Sequence, residues 1–147
     1  RIATITRGVY ASPRYLEKHG TPLSVDDLHR HDCIITEQQR ADGIWMLRNA
    51  NNHRFANIEG KVVVNNILIA RELTIGHVGL SMLPNVMCVG DVAASRLVRV
   101  LKDWESPSMH ATALVLSRHG MPSKIRAFLD FLAERLNVLN QDNKPES

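Results

Sequence analysis

Seven histidines, two cysteines and fifteen Asp and Glu residues supply the groups from which a metal site or an acid–base pair could be built, so their spacing is the first test. Only His29-x-His31, followed by Asp32, forms a close cluster. If residues 26–30 are helical and 32–36 extended, the two imidazoles leave a turn without a fixed mutual geometry. No HExxH or other dense ligand set accompanies them. The expectation is structural histidine, with no metal and no cofactor. No GxSxG elbow presents a serine nucleophile. Gly76-His77-Val78-Gly79 is too short to cradle a phosphate; its glycines are expected to end a helix and start a tightly packed strand. Asp26-Asp27 is a carboxylate pair in sequence only, suited to the positive end of a helix. Glu37 differs, because it follows an apolar strand at its C-terminal end, where open α/β sheets form ligand crevices. No nucleophile, base and orienting group come together, so the chain reads as a binding protein and not an enzyme.

Composition narrows the classes further. The 147 residues are 44% hydrophobic and 22% charged, enough apolar material for one ordinary core. The net charge of +3 is too mild to argue for nucleic-acid binding. The densest basic group, Arg96 to Lys102, is diluted by Leu97, Val98, Val100 and Leu101 and fits a solvated strand edge. No apolar run approaches the roughly 20 residues that span a bilayer, and the first residues are neither signal nor transit peptide. An abrupt start on strand-like residues without an initiator Met is expected of a piece of a longer protein. Cys33 and Cys88 lie far apart in apolar surroundings, as buried reduced thiols of a cytoplasmic protein do.

The elements that must position these residues alternate. Thr4–Ala11 reads as a strand. Ser12-Pro13 starts a short helix that Gly20 ends. Ser24 to Asp27 resembles a capping box opening a second short helix up to Arg30. Strands are expected over Cys33–Thr36, Ile44–Arg48 with Trp45 in the core, and Lys61–Val64, the last two separated by a hairpin-like connection over Asn49–His53. Asn65-Asn66 offers an N-cap for a helix over Ile67–Ile75, closed by Gly76. Gly79–Leu83 is a strand with Met82 and Leu83 in the core, and Asn85–Ala94 is a helix despite Gly90. Strands follow over Leu97–Leu101 and Ala111–Leu116, with Trp104 on a surface between them. Ile125, Phe128, Leu129, Leu132, Leu136 and Leu139 then form a sustained helical stripe, and 140–147 form a disordered tail. The class is α/β with a mixed, mostly parallel sheet flanked by helices.

Several segments, in order, resemble the effector-binding domain of LysR-type transcriptional regulators. They are Val9-Tyr10-Ala11-Ser12-Pro13-Arg14-Tyr15-Leu16, Gly20-Thr21-Pro22, Asp27-Leu28, His31-Asp32-Cys33-Ile34, Trp45 and Val64-Asn65-Asn66. Next comes Gly76 to Pro84, then Arg96 to Leu101 with Trp104, and finally Lys124 to Leu132. The resemblance runs from about Arg7 to Leu136. It implies a pair of Rossmann-like lobes of the periplasmic-binding-protein type with a small effector in the cleft between them. Residues 1–108 would be the second lobe, and 109–139 the return strand and C-terminal helix of the first. The N-terminal winged helix-turn-helix and the first half of the first lobe would be missing, so operator DNA would be engaged only through that missing domain. The stripe of the last helix would then lack partner surface, at a cost of several kcal/mol for roughly 25 cal/mol per Å² of apolar area. It is expected to dock on another chain or to refold against this lobe.

The resemblance also nominates the effector contacts: Thr36, Glu37 and Gln38, with Asn65 and Asn66 as amide donors at a helix start. Short polar groups and free helix amides suit a carboxylate ligand. Simple N-capping explains Asn65-Asn66 equally, and Thr36 could bond nearby backbone instead. Glu37 would repel an anion unless it points away, or unless the ligand carries an amine or many hydroxyls. The implied partners are a small molecule and further copies of the chain in a dimer or tetramer, with no membrane. A solute-binding protein of a transport system, with a similar fold, is the competing reading.

Overall fold

The computed structural model describes residues 3–112, 114 and 121–141. Its centre is a five-stranded mixed sheet in the order β6-β3-β7-β2-β8. The strands are β2 (Arg7–Ala11), β3 (Cys33–Thr36), β6 (Gly60–Val64), β7 (Leu80–Pro84) and β8 (Val98–Val100). β3 runs parallel to both β6 and β7, while β2 runs antiparallel to β7 and β8. β8 is an outer strand, so the basic Arg96–Lys102 segment does lie on a sheet edge.

Alternation along the strands divides the core in two. On one face, Val9, Ala11, Cys33, Ile35 and Met82 pack with Trp45, Leu47 and the helix α1 (Pro13–His19). On the other, Tyr10, Ile34, Leu83 and Leu97 pack against α3 (Ile67–Ile75) and α4 (Asn85–Ala93). Trp45 comes from the hairpin of β4 (Ile44–Asn49) and β5 (Asn52–Asn57) and is fully enclosed. Trp104, expected on a surface, is instead half-buried against the first core.

The helix starts follow the local sequence. Ser12 Oγ accepts the Tyr15 amide at 3.1 Å ahead of Pro13. Val25–Arg30 forms a 3-10 turn, and Asp27 Oδ2 accepts the amides of Leu23 and Ser24 at 2.9 and 3.0 Å. Those amides, with the Arg30 pair behind them, hold the Asp27 carboxyl down at about 2.

Three expectations are redrawn. The first strand is broken at Thr6 into β1 (Ala3–Ile5) and β2, because the Thr6 carbonyl accepts the Asn85 amide at 3.0 Å. The hairpin returns through β5, which pairs with β4, before the chain reaches β6. Residues 37–42 form a further helix, α2 (Glu37–Asp42).

Of the strand expected over 111–116, Ala111 belongs to β9 (Met109–Ala111), which pairs antiparallel with β1. Residues 113, 115 and 116 lie outside the described residues, as do 142–147 of the expected tail. The last helix, α5 (Ser123–Gln141), continues two residues into that tail. It packs against α4 and β1 of its own chain. Leu129, Leu132, Leu136 and Leu139 are half-buried there, while Ile125, Phe128 and Phe131 remain 45%, 60% and 61% exposed.

Candidate functional site

Because β3 and β6 are parallel neighbours, with Thr36 opposite Val64, their carboxyl ends open at one place. All five nominated residues gather there: Thr36–Gln38 follow β3, and Asn65–Asn66 follow β6. Two of the five are employed as caps. Thr36 Oγ1 accepts the Gln39 amide at 3.3 Å, and Gln39 Oε1 accepts the Thr36 amide at 2.9 Å. This reciprocal box starts α2, and Gly43, at φ 63°, ends it in the left-handed region. Asn66 Oδ1 likewise accepts the Leu68 amide at 2.7 Å to start α3.

Gln38 and Asn65 are exposed, and their side chains have no hydrogen-bond partner among the described residues. Glu37 is exposed too, and its Oε2 lies 3.6 Å from Arg40 Nη1 along the helix. Such a solvated pair is worth only a few tenths of a kcal/mol. Its consequence is local: a cation one turn away offsets the charge that would otherwise oppose an anionic ligand. Gln39, not among the nominated residues, is buried and has no partner for Nε2 among the described residues. The signal for it was present as the Thr-x-x-Gln pattern of Thr36 and Gln39.

The histidine cluster separates. His29 Nδ1 contacts the Asp26 carbonyl, while His31 Nδ1 lies 3.0 Å from the Tyr15 hydroxyl. That hydroxyl also accepts the Asp32 amide at 3.1 Å. Burial, and then the nearby His19, lower the His31 pKa, so its neutral form is favoured. Cys33 and Cys88 are free and buried, and burial pushes both thiols up to about 12.

A cavity of about 820 Å³ lies elsewhere on the same end of the sheet, towards β2 and β8. Thr6, Arg48, Asn85, Arg99, Lys102 and Asn137 are among the residues lining it, and none of the nominated five is. Those side chains come from strand ends, a hairpin and two helices that are remote in sequence, so no local motif announces them.

A mixed five-stranded sheet with helices on its faces and polar groups at its carboxyl end is shared by many binding proteins, so sequence kinship has to decide among them. The profile of the LysR substrate binding domain matches residues 1–137. The chain belongs to the LysR substrate-binding domain family. This LysR domain is 30% identical over 142 residues to a probable HTH-type transcriptional regulator, LtrA, of Klebsiella pneumoniae, covering 95% of the chain and 46% of the relative. It is 30% identical over 129 residues to the HTH-type regulator CrgA of Neisseria meningitidis, covering 87% of the chain and 43% of CrgA. The chain thus spans about half the length of the curated relatives it matches.

Among solved structures, the CrgA regulatory domain superposes with a TM-score of 0.71 at 25% identity, over 92% of this chain and 66% of that one. Full-length AphB, a virulence activator of Vibrio cholerae, gives 0.72 at 24% identity over 91% and 46%. The LysR domain therefore carries the lobe architecture of the type 2 periplasmic-binding-protein-like fold. No helix among the described residues is long and apolar enough to cross a membrane.

Proposed function

We propose that this LysR substrate-binding domain is the effector-sensing part of a cytoplasmic transcriptional regulator, binding a small carboxylate-bearing molecule at Thr36–Gln38 and Asn65–Asn66. The observation that carries the reading is the parallel β3–β6 pairing, which sets both segments side by side at the carboxyl end of the sheet. In open α/β sheets that end is where ligands sit. Gln38 and Asn65 supply amide donors not used by the lobe, and the caps Thr36 and Asn66 hold the backbone that presents them. The pairing of Glu37 with Arg40 lessens the electrostatic objection to an anionic effector.

Residues 1–108 are then the second lobe, and 109–139 return to the first. The β1–β9 ribbon is where the two segments lie side by side, and the uncovered side of α5 is the seat of the remainder of the first lobe. Effector binding acts by favouring one angle between the lobes, as any ligand does that prefers one of two conformations. The parent assembles as a homo-oligomer, a dimer or tetramer, and touches operator DNA through an N-terminal domain outside this sequence. A thermal-shift screen of the intact regulator against small carboxylic acids tests the site. An acid that raises Tm for the natural sequence should fail to do so after Gln38→Ala together with Asn65→Ala. The ligand-free Tm should not move, because both side chains are exposed. A ligand shift that survives the double change overturns the assignment.

A further inference from the structure

One unexplained feature is the cavity of about 820 Å³, which the proposed effector residues do not line. Its walls bring three cations together: Arg48 at the end of β4, Arg99 on β8, and Lys102 just beyond it. Two carboxylates share the walls, but Glu105 is already spoken for by Arg48 at 3.4 Å, and Asp103 is exposed. Arg48 also donates to Ser108 Oγ at 3.0 Å.

Arg99 is the group left over. It is the cross-strand neighbour of Tyr10; among the described residues its Nε is buried without a hydrogen-bond partner, and Nη2 makes one long bond of 3.4 Å to the Trp104 carbonyl. A half-buried guanidinium with most of its donors unmet by the described residues favours a further acceptor. Its planar fork matches a carboxylate.

The neighbouring residues are arranged around that fork. Asn85, buried at 3% exposure, accepts from the Tyr10 hydroxyl at 2.7 Å and donates to Thr6 Oγ1 at 2.9 Å, so its amide is fixed in one orientation. Space for both side chains exists because residue 8 is glycine. A Cβ there would stand 2.7 Å from Asn85 Oδ1 and 2.8 Å from Arg99 Nε.

We infer that this cavity is a second ligand site, taking a small organic anion whose carboxylate is held by Arg99 beside Asn85, with Lys102 at the mouth. The site also borders α5 through Asn137, so its occupant ties the last helix to the sheet. The inference does not depend on Thr36–Gln38 and Asn65–Asn66 being the effector site.

Titration of succinate into the 147-residue chain, at constant ionic strength and observed through the Nε–H resonances of ¹⁵N-labelled arginine, tests it. The Arg99 signal, assigned by its loss in Arg99→Lys, should move saturably. Arg99→Gln should weaken succinate binding by about tenfold or more. Arg54→Gln, which removes an exposed cation from β5, should leave it within about twofold. Arg99→Lys keeps the charge but not the fork, and should weaken binding as well, which covers the case of a poorly folded Arg99→Gln. The inference is overturned if no arginine signal saturates, or if Arg99→Lys and Arg54→Gln both bind like the natural sequence. Binding of inorganic phosphate with no binding of succinate would overturn the carboxylate assignment.

Discussion

Asp91→Ala should be among the more damaging single changes in the chain, and its cost follows from the contacts. The Asp91 carboxylate is 1% exposed and accepts three charge-assisted bonds: Arg71 Nε at 2.6 Å, Arg71 Nη2 at 2.7 Å and Arg96 Nε at 2.9 Å. The fork joins α3 to α4, and Arg96 joins both to the approach to β8. Bonds to charged groups contribute about 1.5–3 kcal/mol each, so three would sum to about 4.5 kcal/mol or more. That sum is too large, because the Arg71 and Arg96 side chains are 25% and 50% exposed and would rehydrate once released. We expect a loss of about 2–3 kcal/mol for Asp91→Ala, below the about 3–5 of a fully buried pair. Asp91→Asn keeps one acceptor and should lose about 1–2 kcal/mol. At this chain length each kcal/mol lowers Tm by about 2–4 °C.

The pH dependence is also fixed. Burial alone would raise the Asp91 carboxyl, but the bonds from Arg71 and then Arg96 outweigh it and hold the pKa below the ordinary 3.8. A depressed carboxyl stabilises the fold fully above its unfolded value, and the contribution disappears as pH falls through the folded value. Urea denaturation followed by circular dichroism should show the full gap between natural and Asp91→Asn chains at neutral pH, closing below about pH 4. A difference under about 0.5 kcal/mol at neutral pH for Asp91→Ala would refute the reasoning.

Three further outcomes are expected. Thr36→Ala should cost about 1 kcal/mol through the lost α2 cap, and Thr36→Ser only a few tenths, as read by urea midpoints; equal losses for the two would show that the hydroxyl is not the capping group. With both thiols held near 12, Ellman's reagent at about pH 8 should leave the native chain unmodified and label both cysteines in denaturant; rapid labelling of either native thiol would contradict the burial argument. Gly79→Ala drives a Cβ into the Asp32 carbonyl and should cost about 1–3 kcal/mol in the same denaturation assay; no change would mean that the start of β7 yields freely.

How far the sequence disclosed all this depended on whether a signal was local. α3 was legible to the residue because Asn66 starts it and Gly76 ends it, and both positions have a steric or hydrogen-bonding reason. α2 was missed because six largely polar residues carry no apolar period, although Thr36-x-x-Gln39 marked its start. β5 has little strand character of its own; pairing with β4, anchored by buried Trp45, makes it a strand. The stripe of α5 was plain, but its seat was not, since which side of a stripe is covered depends on what packs there. The nominated site came from kinship, and the parallel register of β3 and β6 gives it a common location. The Arg99 cavity could not be read at all, because Thr6, Arg48, Asn85 and Arg99 meet only in the folded chain.

The central claim is an effector site at the carboxyl ends of β3 and β6. Hydrogen–deuterium exchange on the intact regulator, with and without an acid that raises its Tm, measures it most directly. Added protection should include peptides covering 34–39 and 64–68. Ligand-induced protection that leaves both of those peptides unchanged would contradict it.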